Sequence, residues 1–239
     1  AGLLEERVVD LSTLLTDDLD IELLKRHEPL LRDAITGLLA DQTLEQVRSQ
    51  QGRDDLRARC KKAVEALLTK ASDLVRAQHR PVRILDIAAG HGRYVLEAIE
   101  HDRQRPDSVL LRDFSDINVR DGNRLIQEKG LSAICRFEKG DAFDRASVAA
   151  AQPRPTIGIV SGLYELFPDN AQIEASLAGL ARAMEPGALL LYTGQPWHPQ
   201  LELIARALTS HRGGQAWVMR RRSQAEMDQL VDHAGFEKL

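Results

Sequence analysis

The sequence lacks covalent staples and anything long and apolar enough to enter a bilayer. Its two cysteines, Cys60 and Cys135, stand far apart without CxxC spacing. A disulfide framework or a zinc site is therefore excluded as its organising principle, and both residues read as buried thiols in a reducing compartment. No apolar run reaches the roughly 18 to 20 residues that a spanning helix needs. The first residues carry Glu5, Glu6 and Arg7 where a secretion signal is basic and then apolar, so the expected location is cytoplasmic. Neither sign of charge dominates: 32 Lys and Arg against 36 Asp and Glu leave a net charge of -4. No chain-wide attraction to nucleic acid or to an anionic membrane follows. Repeats and low-complexity stretches are absent. An initiating Met is missing too; a chain that starts at Ala1 reads as a piece of something longer or as a processed product.

What is present is ordinary for a soluble globular protein. Hydrophobic residues make up 43% and charged residues 28% of 239 positions, enough to bury a sizeable core. Two textures divide the chain. Residues 1–80 hold few glycines and one proline, and read as an N-terminal helical extension. Leu56, Cys60, Ala63, Val64, Leu67, Leu68, Ala71, Leu74 and Val75 recur in steps of three and four, which predicts an amphipathic helix over 54–78 with Asp54 or Asp55 as its cap. A second helical pattern follows Asp17 and Asp18 through Leu38, interrupted at Pro29.

Residues 81–239 alternate short apolar runs with helical periods. Strands are expected at 82–87, 108–113, 134–138, 156–161 and 188–193. Helices are expected at 94–100, 119–129, about 170–184, 199–210 and 223–234, and Phe236-Glu237-Lys238-Leu239 reads as the opening of a sixth strand whose terminal hairpin is cut short. This pattern predicts an α/β fold: a doubly wound, mostly parallel sheet with an N-terminal helical layer.

In such a fold ligands bind beyond the carboxyl ends of the strands, where strand order reverses. The first strand leads into Asp86-Ile87-Ala88-Ala89-Gly90-His91-Gly92, whose glycines let backbone approach a ligand closely. A dinucleotide fingerprint wants a third glycine where Val95 stands. Asp86 at the strand tip repels a pyrophosphate and suits a cationic ammonium or sulfonium. At about 4 Å and an effective dielectric near 20, that charge term is roughly 4 kcal/mol before desolvation. Asp113 ends the second strand about 20 residues on, where an acid accepts from ribose hydroxyls; Asp116 competes for this role, and Phe114 adjoins it. Gly140-Asp141-Ala142-Phe143 follows the third strand, with Asp141 placed to accept from an adenine amino group and Ala142 and Phe143 to line the ring. Asp141 also suits a Gly-Asp turn for backbone reasons alone.

On the acceptor side the candidates are Ser161, Tyr164 and Glu165 after the fourth strand and Trp197 and His198 after the fifth. His198 has the pKa range of a base, or simply packs beside Pro199. Arg220-Arg221-Arg222 reads as a solvated charge run, with an anionic substrate as the sharper alternative. His91 reads as a surface side chain on a loop whose backbone matters.

The series Asp86 to Gly92, Asp113, Gly140 to Ala142, and Gly158 to Glu165 resembles the motifs of class I S-adenosylmethionine-dependent methyltransferases. Ala88 replaces the usual first glycine of the loop. The stretches 159–170 and 192–200 also resemble a group of bacterial methyltransferase domains often found downstream of an α/β-hydrolase domain in one polypeptide. The resemblance implies S-adenosylmethionine as cofactor, held by Asp86, Ala88, Gly90, Gly92, Asp113, Phe114, Asp141, Ala142, Phe143 and Ser161. It implies Tyr164, Glu165 and His198 at the acceptor, a small molecule or lipid, and a hydrolase domain as partner. The base-methylating signature, Asp or Asn before Pro-Pro and an aromatic, is missing after the fourth strand. Competing readings are a nicotinamide-dependent oxidoreductase and a non-catalytic cofactor-binding module.

Overall fold

The computed structural model describes residues 66–100, 102, 104–194 and 218–238. By internal contacts the chain divides into residues 1–59 with 195–221, and residues 60–194 with 222–239. The second unit carries the sheet. Cys60, Trp197, His198 and the helical patterns expected before residue 66 and over 199–210 lie outside the described residues.

Residues 66–77 form helix α1. There follow β1 (Arg83–Asp86), α2 (Arg93–Glu100), β2 (Ser108–Asp113), α3 (Asp116–Glu128), β3 (Cys135–Lys139), α4 (Arg145–Ala149) and β4 (Ile157–Val160). A 3-10 turn (Tyr164–Leu166), α5 (Asn170–Ala183), β5 (Leu189–Tyr192) and α6 (Gln224–His233) complete the unit. The strands lie in the order β3-β2-β1-β4-β5, and every pairing is parallel. Strand order therefore reverses between β1 and β4, which puts the crevice of the sheet at their carboxyl ends.

Alternate residues of β1, β2, β4 and β5 feed two cores. Ile84, Val109, Leu111 and Phe137 pack with Val75 of α1, Leu96 of α2 and Ile126 of α3 on one face. Leu85, Leu110 and Val160 pack with Val148 of α4, Leu177 of α5 and Met227 of α6 on the other. Each such fully buried aliphatic side chain contributes about 1.5 to 3 kcal/mol. Burial on both faces is the reason β2 and β4 are largely apolar; the edge strand β3 alternates, with Cys135 and Phe137 buried and Arg136 and Glu138 exposed.

Three local outcomes differ from the sequence reading. Helix α3 starts three residues earlier than Val119, because the Ser115 side chain caps it by accepting from the Asn118 amide. Helix α4 was not foreseen; one turn long, it is set by Asp144, whose Oδ1 accepts from the amides of Ala146 and Ser147. Residues 236–238 form no strand. The Phe236 amide instead donates back to the Val231 carbonyl at 3.2 Å, closing α6. Among the described residues no helix is long and apolar enough to cross a membrane.

Candidate active site

The glycine loop is built by hydrogen bonds from both neighbouring strands. The Ile87 amide donates to the Ile159 carbonyl of β4, and the Ala89 amide to the Arg112 carbonyl of β2 at 2.9 Å. Gly90 and Gly92 both have positive φ, +57° and +71°. At Gly92 a Cβ would stand 2.5 Å from Leu111 Cδ1, so this glycine also lets the start of α2 close on the sheet. Among the described residues nothing lies within 4 Å of the Cβ position of Gly90. That open cradle is where a ligand can reach the backbone. Ala88 sits half-buried on the same loop.

Asp86 lies beneath this loop, wholly buried. Its Oδ1 accepts from the Ala88 amide at 3.1 Å, and its Oδ2 accepts from the Tyr94 hydroxyl of α2. Burial pushes its carboxyl from an ordinary 3.8 up to about 7, while the two hydrogen bonds pull the other way and Asp113 adds to the rise. The Tyr94 hydroxyl is raised well above its ordinary value by burial and by the charge of Asp86. Both Asp86 oxygens are thus engaged by the protein, and the carboxylate acts on the loop from below.

Asp113 clamps the loop from the side. Its Oδ2 accepts from the Gly90 amide at 2.9 Å; its Oδ1 accepts from the Ser115 amide at 2.8 Å and from Asn118 Nδ2 at 3.1 Å. A carboxylate offers about four acceptor positions, so three bonds leave room on Oδ2 for one more donor. Asp116, its competitor in the sequence, is exposed in the first turn of α3 and paired with Lys139 at 2.6 Å. Phe114 is 52% exposed beside the clamp.

The third tip is a short Asx turn: Asp141 Oδ1 accepts from the Phe143 amide at 2.9 Å. Ala142 is buried, and the Phe143 ring meets Phe167 edge-on, with centroids 4.6 Å apart. This loop rests on Arg112. The buried Arg112 guanidinium donates to the Ser147 carbonyl and hydroxyl, and its Nε lies 2.5 Å from where a Cβ on Gly140 would stand. Gly140 is therefore a close-approach glycine.

After β4, Ser161 is half-buried, and Gly162, at φ +64°, donates its amide to Thr193 Oγ1 of the chain leaving β5 at 2.8 Å. The next two side chains part. Tyr164 turns into the core, 2% exposed, with its hydroxyl 3.0 Å from Ser176 Oγ. Burial drives that hydroxyl far above its ordinary pKa. Glu165 stays half-buried. Its Oε2 is shielded from water and has no hydrogen-bond partner among the described residues, and its carboxyl is raised chiefly by desolvation. Arg222 is buried, not solvated as the run Arg220-Arg221-Arg222 suggested. It donates Nε to Asn170 Oδ1 at 2.8 Å and its two terminal nitrogens to the carbonyls of Tyr164 and Phe167, at 2.7 and 3.0 Å.

At the carboxyl ends of the strands lie Asp86 on β1 with the glycine loop after it, Asp113 on β2, Asp141 just after β3, and Ser161 and Glu165 after β4. Sequence reasoning missed Tyr94 and Arg112, and read Arg222 as part of a solvated run. Tyr94 carried a signal, since it lies on the first turn of the helix that the glycine loop opens. Arg112 carried none.

Solved structures share this architecture. An O-methyltransferase family protein from Burkholderia thailandensis superposes with a TM-score of 0.54 at 17% identity, over 79% of this chain and 55% of its own. The N,N-8-amino-8-demethyl-D-riboflavin dimethyltransferase of Streptomyces davawensis gives 0.53 at 19% identity, over 91% and 62%. Human N-acetylserotonin methyltransferase, solved in complex with SAM, gives 0.51 at 15% identity, over 80% and 52%. At these identities the likeness is one of fold: the Rossmann-like fold of methyltransferases. In sequence, 175 residues are 56% identical to the uncharacterized protein YnbC of Escherichia coli K12; they make up 73% of this chain and 30% of that protein. The chain therefore spans less than a third of its curated relative. Residues 28–239 match the model of the family described as "Putative methyltransferase", and to that family the chain belongs.

Proposed function

We propose that the chain binds S-adenosylmethionine at the carboxyl edge of its sheet and transfers the methyl group to a small-molecule or lipid acceptor. The observation that carries this reading is the open cradle over Gly90, set between the clamp of Asp113 and the buried charge of Asp86 at the strand-order reversal. Family membership and the SAM-bound human neighbour support it.

When bound, the cofactor supplies an electrophilic methyl on a cationic sulfonium. The chain holds and orients it. Asp113 Oδ2 would accept from a ribose hydroxyl, Asp141 with the apolar pair Ala142 and Phe143 would receive the adenine, and Phe114 would lie beside it. Asp86 would shape the loop through its bonds to Ala88 and Tyr94, without direct contact. Bringing the acceptor into line is worth more than any proton chemistry in such a displacement. Where the acceptor must lose a proton, Glu165 would receive it: its Oε2 is shielded and without a partner among the described residues, and desolvation raises its carboxyl, which makes it a stronger base. Tyr164 serves as the buried peg that fixes the turn carrying Glu165, and Ser161 lines the cofactor side. His198 stays a candidate base on its sequence alone, and a hydrolase domain in the same polypeptide would supply or receive the acceptor.

Isothermal titration with S-adenosylmethionine and S-adenosylhomocysteine tests the proposal. Micromolar binding of both, with NADH not binding, is the expected result. A folded sample that ignores both nucleosides at millimolar concentration ends it.

A further inference from the structure

We propose that Arg222 is a positioning residue of the acceptor side, holding Glu165 in place and in readiness to take a proton; this rests on the proposed function above. The chain comes back to this unit at Arg222. There its guanidinium spends all three nitrogens on the segment after β4: the carbonyls of Tyr164 and Phe167, which bracket the 3-10 turn, and the Asn170 side chain at the start of α5. A planar fork with fixed donors locks such a turn as a lysine point charge cannot. Glu165 lies inside the bracketed segment; desolvation raises its carboxyl, while its own backbone amide and then the charge of Arg222 favour the ionised form.

Among the described residues, the neighbouring polar groups have partners of their own. The Tyr164 hydroxyl faces Ser176, Asp169 caps α5 through the Ala171 amide, and Glu226 of α6 accepts from Asn170 Nδ2 at 3.0 Å on the far side of Arg222. Glu165 Oε2 is shielded from water and unpartnered among the described residues, within reach of the Arg222 charge.

The test needs no acceptor. Carbon-13 NMR of glutamate-labelled full chain follows each side-chain carboxyl against pH, with the Glu165 signal identified by its loss in Glu165→Gln. Removing the positive charge in Arg222→Gln is expected to raise the Glu165 midpoint by about one pH unit. Arg222→Lys, which keeps charge and loses the fork, should recover less than half of that rise. Asn170→Ala is the milder variant for use if Arg222→Gln does not fold, and should shift the midpoint the same way by a few tenths. S-adenosylhomocysteine titration accompanies each variant. Unchanged cofactor affinity with a shifted Glu165 midpoint supports the inference. A midpoint that stays within 0.2 in the folded variants overturns it. Loss of cofactor binding in the wild-type chain itself would instead strike the proposed function.

Discussion

Tyr94 donates its hydroxyl to Asp86 Oδ2 beneath the glycine loop, joining the first turn of α2 to the tip of β1 within the buried floor of the site. A fully buried carboxylate is costly unless hydrogen-bonded, and here the hydroxyl and the Ala88 amide share that task.

The pair makes stability depend on pH in a stated direction. The folded-state pKa of Asp86 is raised, from an ordinary 3.8 to about 7. Between these values the folded chain binds a proton that the unfolded chain has released, so stability falls as pH rises through the window and levels off above about 7. The contribution is at most roughly 4 kcal/mol at about 1.4 kcal/mol per pH unit. Asp86→Asn should remove this slope: its amide can still accept from Ala88 and donate to a reversed Tyr94 hydroxyl. Urea midpoints at pH 4.5 and pH 8 check this; the variant should gain on wild type as pH rises.

Gly90 and Gly92 should respond differently to alanine. Both lie at positive φ, but only Gly92 also meets a neighbour, Leu111 at 2.5 Å. Gly92→Ala should cost about 2 to 4 kcal/mol, from strain plus overpacking. Gly90→Ala should cost about 1 to 2 kcal/mol, yet obstruct the cradle and abolish S-adenosylhomocysteine binding. Calorimetric melting and nucleoside titration separate the two effects.

A helical glycine is ordinarily improved by alanine, by about 0.5 to 1 kcal/mol. Gly122 of α3 should reverse that sign, since its Cβ would collide with the Phe137 ring of β3. Gly122→Ala should destabilise by about 1 to 3 kcal/mol, and Phe137→Leu should restore much of the loss. Denaturant titration of both variants and their combination decides.

Gly140 and Arg112 should be coupled. Gly140→Ala displaces a buried guanidinium from Ser147. In an Arg112→Ala background the same change should cost at least about 1 kcal/mol less, the range of interaction energies between touching residues. Additive losses in the double-mutant cycle would contradict this close approach.

The order of strands and helices was legible because burial on two faces writes itself as short apolar runs between helical periods. The α/β class, the parallel sheet and the glycine loop follow from Val82 to Ile87, Ser108 to Asp113 and Gly90 to Gly92 alone. So does the placing of Asp86, Asp113 and Asp141 at three strand ends, since a strand's last residue lies at the sheet edge whatever its side chain does. What the side chains do there was decided by packing between distant segments. Only the closed fold puts Tyr94 under Asp86, Arg112 under Gly140, and Arg222 across Tyr164 and Phe167. Charge and spacing in one dimension cannot tell a solvated arginine from one that finds three acceptors more than fifty positions away.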